Sequence, residues 1–284
     1  MKNFLVRSAS AVVYAGLLIA GSLWWSPLLY LTLTAFLIIG MVELKKLLKT
    51  DIHSILFATW TIISIICLLI SVLLFDQNLV SNHFPTSGLS PLLFFSPFLL
   101  GFLILIFSTI SRKPAQGLLS FFSISIVYLL IPFIFLIGIQ NIVFNSSVSW
   151  LLVLLAAIWI NDSMAYITGS LIGKHKLIER ISPGKTWEGF LGGLIFTIAT
   201  LLIINQIFFD FDAISLAIIA LVIVMSGTIG DLLESKLKRE AGVKDSGNII
   251  PGHGGILDRI DSLLVAAPFT GIALLINEII LNWH

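Results

Sequence analysis

Apolar runs about as long as a bilayer is thick recur along this chain, and its basic residues fall only in alternate gaps between them. A helix needs roughly 20 apolar residues to cross a ~30 Å hydrocarbon core. Such runs give about nine candidate spans, at roughly 5–23, 26–44, 54–75, 90–110, 116–138, 149–172, 187–207, 213–233 and 259–281. With the N-terminus inside, Lys2 and Arg7, then Lys45, Lys46 and Lys49, then Arg112 and Lys113 share one side. Lys174, Lys176, Arg180 and Lys185 follow on that side, as do Lys236, Lys238, Arg239, Lys244 and Arg259. All 16 Lys and Arg are then accounted for, while the opposite gaps hold Asp76, Asp210 and Asp212. A wrong span count would scramble this order, so the N-terminus is expected in the cytoplasm and the C-terminus across the membrane. The expected fold is all-α: a polytopic membrane helical bundle of about nine transmembrane helices.

Composition closes the alternatives. Only 11% of the residues are charged, against about 25% in soluble domains, and the mean hydropathy is +1.07. The alternating segments of a β-barrel are absent, which leaves helices to satisfy the backbone. Cys67 has no second cysteine to pair with and reads as a small buried hydrophobe. Lys2 and Arg7 before an apolar run resemble a secretory leader. No small-residue cleavage site follows and a second apolar run begins at once, so a retained span is expected. The first two spans meet tightly near Ser26-Pro27, and Gly169/Gly173 and Gly189/Gly193 are spaced for close helix packing.

Charge is uneven along the chain. Residues 52–155 contain only Asp76, Arg112 and Lys113, whereas most charged groups lie between 156 and 262. Residues 1–148 therefore read as scaffold and lipid-contact helices, and residues 149–284 as the region that carries the chemistry, with its site at the cytoplasmic face. The densest polar run is Ser235 to Asp261, between two apolar segments. Charge at a membrane boundary is costly unless solvated or paired, which marks that run as a functional candidate.

Within it the carboxylates are paired. Asp231 and Glu234 are three residues apart near the end of the eighth span, and Asp258 and Asp261 are three apart at the start of the ninth. Two acidic pairs at one depth can converge on a hard cation such as Mg²⁺, which takes oxygen ligands and substrate phosphates. They can equally pair with Lys236, Lys238 and Arg259 as an ionic network. Lys238, Arg239, Lys244 and Arg259, with the Gly-His-Gly-Gly turn at 252–255, offer donors sized for phosphate. Asp245 is interleaved with them, and His253 sits between glycines, so both join the candidates. A polybasic lipid anchor would not carry so many acids.

Two further segments stand out. Asn161 and Asp162 lie inside the sixth apolar span, where an acid needs a partner. Asp162 is read as a metal ligand, a substrate contact or a structural partner of a nearby Lys. Ser182-Pro-Gly-Lys-Thr-Trp-Glu188 leads into the seventh span. Gly184-Lys185-Thr186 falls short of a P-loop, because Glu179 occupies a position that motif gives to Gly and no strand is expected before it. Lys185 near a helix N-terminus can still bind phosphate. His175 reads as a solvated loop residue.

These residues carry a resemblance. Ser235-x-Leu237-Lys238-Arg239, Lys244-Asp245 and Pro251-x-His253-Gly-Gly-Ile-x-Asp258-Arg259-Ile-Asp261 resemble the signature of the phosphatidate cytidylyltransferase (CDP-diacylglycerol synthase) family without departure. Gly230-Asp231-Leu-Leu-Glu-Ser235, Asn161-Asp162 with Ala165-Tyr166, and Ser182-Pro with Lys185-Thr-Trp-Glu188 are similar to shorter family motifs. The resemblance covers residues 155–265. It implies transfer of a cytidylyl group from CTP to phosphatidate in the bilayer, giving CDP-diacylglycerol and pyrophosphate with Mg²⁺, and a second cation if the centre is binuclear. Asp231 and Asp258 would hold the metal centre, and Asp231, Asp258, Lys238, Arg239 and Asp261 would be catalytic. Lys238, Arg239, Lys244 and Arg259 would grip phosphates and Lys185 the CTP side. Asn161, Asp162, Ser182, Glu188, Ser235, Asp245 and His253 would contact substrate. Asp261 and Asp162 would ligate or orient the basic groups. The setting implied is a bacterial inner membrane with the site facing the cytoplasm, no nucleic-acid partner, and a homodimer left open. Two other classes stay in view: a CTP-dependent lipid-alcohol kinase, and an ion-coupled transporter using Asp162, against which the unlike halves argue.

Overall fold

The computed structural model describes residues 2–75, 118–142, 149–208, 211–249 and 254–282. Among them the chain is a polytopic helical bundle, with seven helices long and apolar enough to cross a membrane. The span expected at 90–110 lies outside the described residues. Helix α1 (Lys2–Leu23) turns at Trp24-Trp25 into α2 (Ser26–Leu47), whose Pro27 fits a first helical turn because its missing N–H would be unpaired there. The hairpin is tight at Gly21, where a Cβ would stand 2.6 Å from the Leu29 nitrogen. Helix α3 spans Ser54–Phe75.

The next span changes pitch within itself. Helix α4 (Leu118–Ile124) passes through a π-helical segment, Ser125–Leu130, into α5 (Ile131–Asn141). Pro132 has no N–H to give and its ring crowds the carbonyl four residues back, which accounts for a widened turn just before it. Helix α6 (Trp150–Ile172) begins at Ser149, whose hydroxyl accepts from Leu151 N at 3.2 Å. It packs on α7 (Trp187–Phe208) through glycines. A Cβ on Gly189 would stand 2.7 Å from the Ala165 carbonyl and 3.2 Å from the Gly169 Cα, so both helices need bare backbone here.

The structure corrects the expectation of a plain loop between α6 and α7. Strands β1 (Lys176–Ile178) and β2 (Ser182–Thr186) form an antiparallel hairpin. A lone two-stranded hairpin is marginal in water. This one is anchored by buried Ile181 and Thr186, with the Thr186 hydroxyl accepting from Gly189 N at 3.1 Å.

Helix α8 (Ala213–Ala241) runs 29 residues, longer than its expected span. At about 1.5 Å per residue it exceeds a ~30 Å core, so the last turns carry Glu234, Lys238 and Arg239 beyond the apolar span. Asp212 caps its start by accepting from Ser215 N at 2.7 Å, and that bond holds the Asp212 carboxyl below its usual range. Gly242, at φ +74, ends it, and Val243 N bonds the Lys238 carbonyl at 2.9 Å. Helix α9 is Leu257–Asn282. A Cβ on Gly230 would strike the Asp261 carbonyl and stand 3.0 Å from Val265 Cγ2, so α8 and α9 meet backbone to backbone. That contact sets Asp231 level with Asp258 and Asp261.

Candidate active site

Three ion pairs organise the junction of α8, α9 and the hairpin. Lys185, on β2, places Nζ 2.6 Å from Asp231 Oδ2, and the Ser235 hydroxyl donates to Asp231 Oδ1 at 3.1 Å. One turn along α8, the Lys238 ammonium sits between Glu234 Oε2 at 2.5 Å and Asp258 Oδ1 at 2.7 Å. Glu234 is fully buried and Lys238 partly so. Lys238 thus ties α8 to α9 at the level of the site. The i,i+4 spacing brings Glu234 under it, and the Gly230 contact brings Asp258 across.

Asp258 is held from its other side by the loop between the two helices. Its Oδ2 accepts from Ser246 N at 2.8 Å, Ser246 Oγ at 2.9 Å and Gly255 N at 2.8 Å. Gly254 adopts φ +85, and a Cβ on it would stand 2.6 Å from that same oxygen. Both the left-handed backbone and the close approach therefore require glycine. Asp261 Oδ1 accepts from Ser262 N at 2.7 Å and lies within electrostatic reach of Asp231, Asp162 and Lys185.

A cavity of about 170 Å³ opens beside this cluster. Asp162, Asp258, Arg259 and Asp261 are its charged lining, and Tyr14, Leu155, Ile158, Trp159, Ser262 and Leu263 the rest. Trp159 Nε1 donates to the Tyr14 hydroxyl at 3.0 Å, which closes the α1 side. The chamber is amphipathic, lined by charged groups and by aromatic and aliphatic surface together. Among the described residues no three carboxylate, imidazole or thiol groups converge on one cation position.

The expected site residues divide by position. Asp231, Asp258, Asp261, Asp162, Lys185, Lys238, Ser235 and Arg259 come together. Asn161 is buried beside them, its Nδ2 3.4 Å from Asp162 Oδ1 and its side chain against Gly193 of α7. Glu188 instead closes the hairpin: it accepts from Lys174 N at 3.1 Å and contacts His175 Nδ1 at 2.6 Å. Ser182 opens β2, while Arg239, Lys244 and Asp245 are exposed. His253 lies outside the described residues.

Sequence reasoning missed Glu43. This α2 residue is fully buried and accepts from Ser246 Oγ at 3.1 Å, Ile256 N at 3.1 Å and Leu257 N at 2.9 Å. An acid on an apolar helix was the available signal, but it stands next to the basic cluster Lys45, Lys46 and Lys49, which hides it. Ser246 and the Tyr14–Trp159 wall carried no signal of their own.

The profile of the cytidylyltransferase family matches residues 5–277 of this chain. The phosphatidate cytidylyltransferase of Staphylococcus epidermidis is 34% identical over 273 residues, 95% of this chain and 98% of that one. The protein of the same name from Staphylococcus saprophyticus is 41% identical over 179 residues, 62% of this chain and 67% of its own. The Staphylococcus aureus protein of that name is 36% identical over 178 residues, 62% of this chain and 67% of its own. A match that runs through the first helices as well as the polar signature means that the chain belongs to the cytidylyltransferase family.

Proposed function

We propose that this protein transfers the cytidylyl group of CTP to phosphatidate, releasing pyrophosphate and leaving CDP-diacylglycerol in the membrane. The observation that carries the reading is a chamber lined by both charged and apolar side chains, whose wall includes Arg259 and Asp258, the latter ion-paired to Lys238 of α8. A phosphate-bearing lipid presents that same combination of surfaces. Family membership and the names of the relatives point the same way.

The reaction asks little covalent chemistry of the protein. A phosphate oxygen of phosphatidate supplies the electron pair for a new bond to the α-phosphorus of CTP. The bond from that phosphorus to the bridging oxygen of the β-phosphate breaks, and pyrophosphate leaves with its electrons. Catalysis is then alignment and charge neutralisation. Arg259, on the chamber wall, would hold the lipid phosphate. Lys185 would hold CTP phosphates, with Arg239 and Lys244 gathering them. Lys238 would orient Asp258, and Asn161 would orient Asp162.

The donor set suits a hard divalent cation, because Asp231, Asp258, Asp261 and Asp162 offer only oxygen. The Lys185 ammonium against Asp231 already shows the oxygen facing a positive charge. Asp231 and Asp258 would hold Mg²⁺ together with substrate phosphate oxygens, and Asp261 and Asp162 would orient the basic groups around them, with a second cation if the centre is binuclear. When bound, the ion would neutralise phosphate charge and favour departure of pyrophosphate. We further read nine spans with the N-terminus in the cytoplasm of a bacterial host and the site facing it. The one-sided basic residues support this. Residues 149–284 remain the catalytic region, with α2 contributing to it from the first half.

The test is pyrophosphate release from CTP by purified protein, with and without phosphatidate and Mg²⁺. Release that requires both, with CDP-diacylglycerol as co-product, is the expected result. Phosphorylated lipid plus CDP would instead identify a lipid-alcohol kinase, and no release from folded protein would end the reading.

A further inference from the structure

We propose that Glu43, on a helix otherwise read as scaffold, is a positioning residue that holds Asp258 in its working orientation; the inference rests on the function proposed above. Two of its contacts are to Ile256 N and Leu257 N, at the start of α9. Such N–H groups have no partner inside their own helix, and a carboxylate there also meets the positive end of the helix dipole. A cap alone does not require this residue. Ser, Thr, Asn or Asp at the α9 N-cap would serve, without burying an acid from another helix.

The third contact gives the carboxylate its purpose. The Ser246 hydroxyl stands 3.1 Å from Glu43 Oε2 and 2.9 Å from Asp258 Oδ2. A hydroxyl has one proton to donate, so what Ser246 gives Asp258 is coupled to what Glu43 draws from it. Ser246 is itself buried, which keeps water from substituting for either bond. The loop is shaped around the acid. A Cβ on Gly247 would collide with the Glu43 carboxylate, and one on Gly255 would collide with both Glu43 and Ser246. Glu43 therefore fixes the two loop segments whose Ser246 and Gly255 N–H groups hold Asp258 Oδ2. The path runs from α2 through Ser246 to Asp258 and on to Lys238.

The experiment uses the full chain in phosphatidate-containing vesicles. Glu43→Gln keeps the volume but turns one acceptor into a donor facing N–H or O–H groups. Its kcat for pyrophosphate release should fall about 10–100-fold, as for other residues that orient reacting groups, with KM for CTP within about threefold of wild type. Backbone amide exchange at Gly254–Leu257 should rise. Ser246→Ala removes the bridging hydroxyl and leaves the α9 cap, so it should lower kcat without that rise. The double variant should be no slower than the slower single one, because both act through Asp258. Glu43→Gln with kcat within about twofold of wild type, or losses that multiply in the double variant, would overturn the proposal. If Glu43→Gln does not fold, Ser246→Ala decides: unchanged kcat refutes the path, and a tenfold or greater loss at constant KM upholds it. Absence of release by wild type would count against the reaction itself; amide exchange would then judge the anchoring, and unchanged exchange in Glu43→Gln would refute it.

Discussion

Asp258→Asn tests whether the Asp258 charge serves the proposed reaction rather than the fold. The Asp258 side chain is 4% exposed, and its Oδ1 lies 2.7 Å from Lys238 Nζ. Removing one partner of a buried ion pair costs about 3–5 kcal/mol when the other charge is stranded. Lys238 is not stranded here, because Glu234 Oε2 remains 2.5 Å away on the same helix. The amide oxygen of Asn can still accept from Ser246 and Gly255. The net loss should therefore resemble one charge-assisted hydrogen bond, about 1.5–3 kcal/mol. Turnover should fall far more. Under the proposed reaction the carboxylate charge is itself the requirement, and removing one preorganised electrostatic group costs about 10²–10³ in kcat. The assay pairs pyrophosphate release with thermal unfolding, followed by a thiol-reactive dye at Cys67, the only cysteine in the chain. A folded variant with wild-type kcat would remove Asp258 from the centre. A variant that fails to fold would show that Glu234 does not hold Lys238 as argued.

Other perturbations probe the remaining supports. Lys185→Met should raise KM for CTP about tenfold or more while changing stability by less than about 1 kcal/mol, since its pair with Asp231 is partly solvated; steady-state kinetics alongside melting would check both. Gly230→Val should force α8 from α9 and cost at least about 1–3 kcal/mol through overpacking, seen as a lower melting temperature together with lost activity. Asp212→Ala removes the α8 cap. Because the carboxyl is held below its usual range, the cap contributes above the unfolded pKa and fades as pH falls through the folded one. The melting difference from wild type should be full at neutral pH and shrink in acid, and a difference independent of pH would refute the charged cap.

Elements governed by local physics were legible, and those that depend on distant partners were not. The expected third span, 54–75, coincides with Ser54–Phe75, because the hydrophobic length that a bilayer demands is written in consecutive residues. Hydropathy ended the eighth span at 233, but the helix runs on to Ala241. There Gly242 was a readable stop signal that a polarity criterion overlooked. The hairpin at 176–186 escaped because Thr186, one of its anchors, gains its burial from packing against the α6–α7 glycines rather than from any strand pattern. Spacing brought Asp231 near Glu234 and Asp258 near Asp261, yet it could not assign partners. Lys238 chooses Glu234 and Asp258, leaving Asp231 to Lys185, because the Gly230 contact fixes the stagger of two helices. Glu43 lies more than 200 residues from its partners. No helical or strand period links positions so far apart, and only the closing of the α8–α9 loop on α2 makes its carboxylate part of the site.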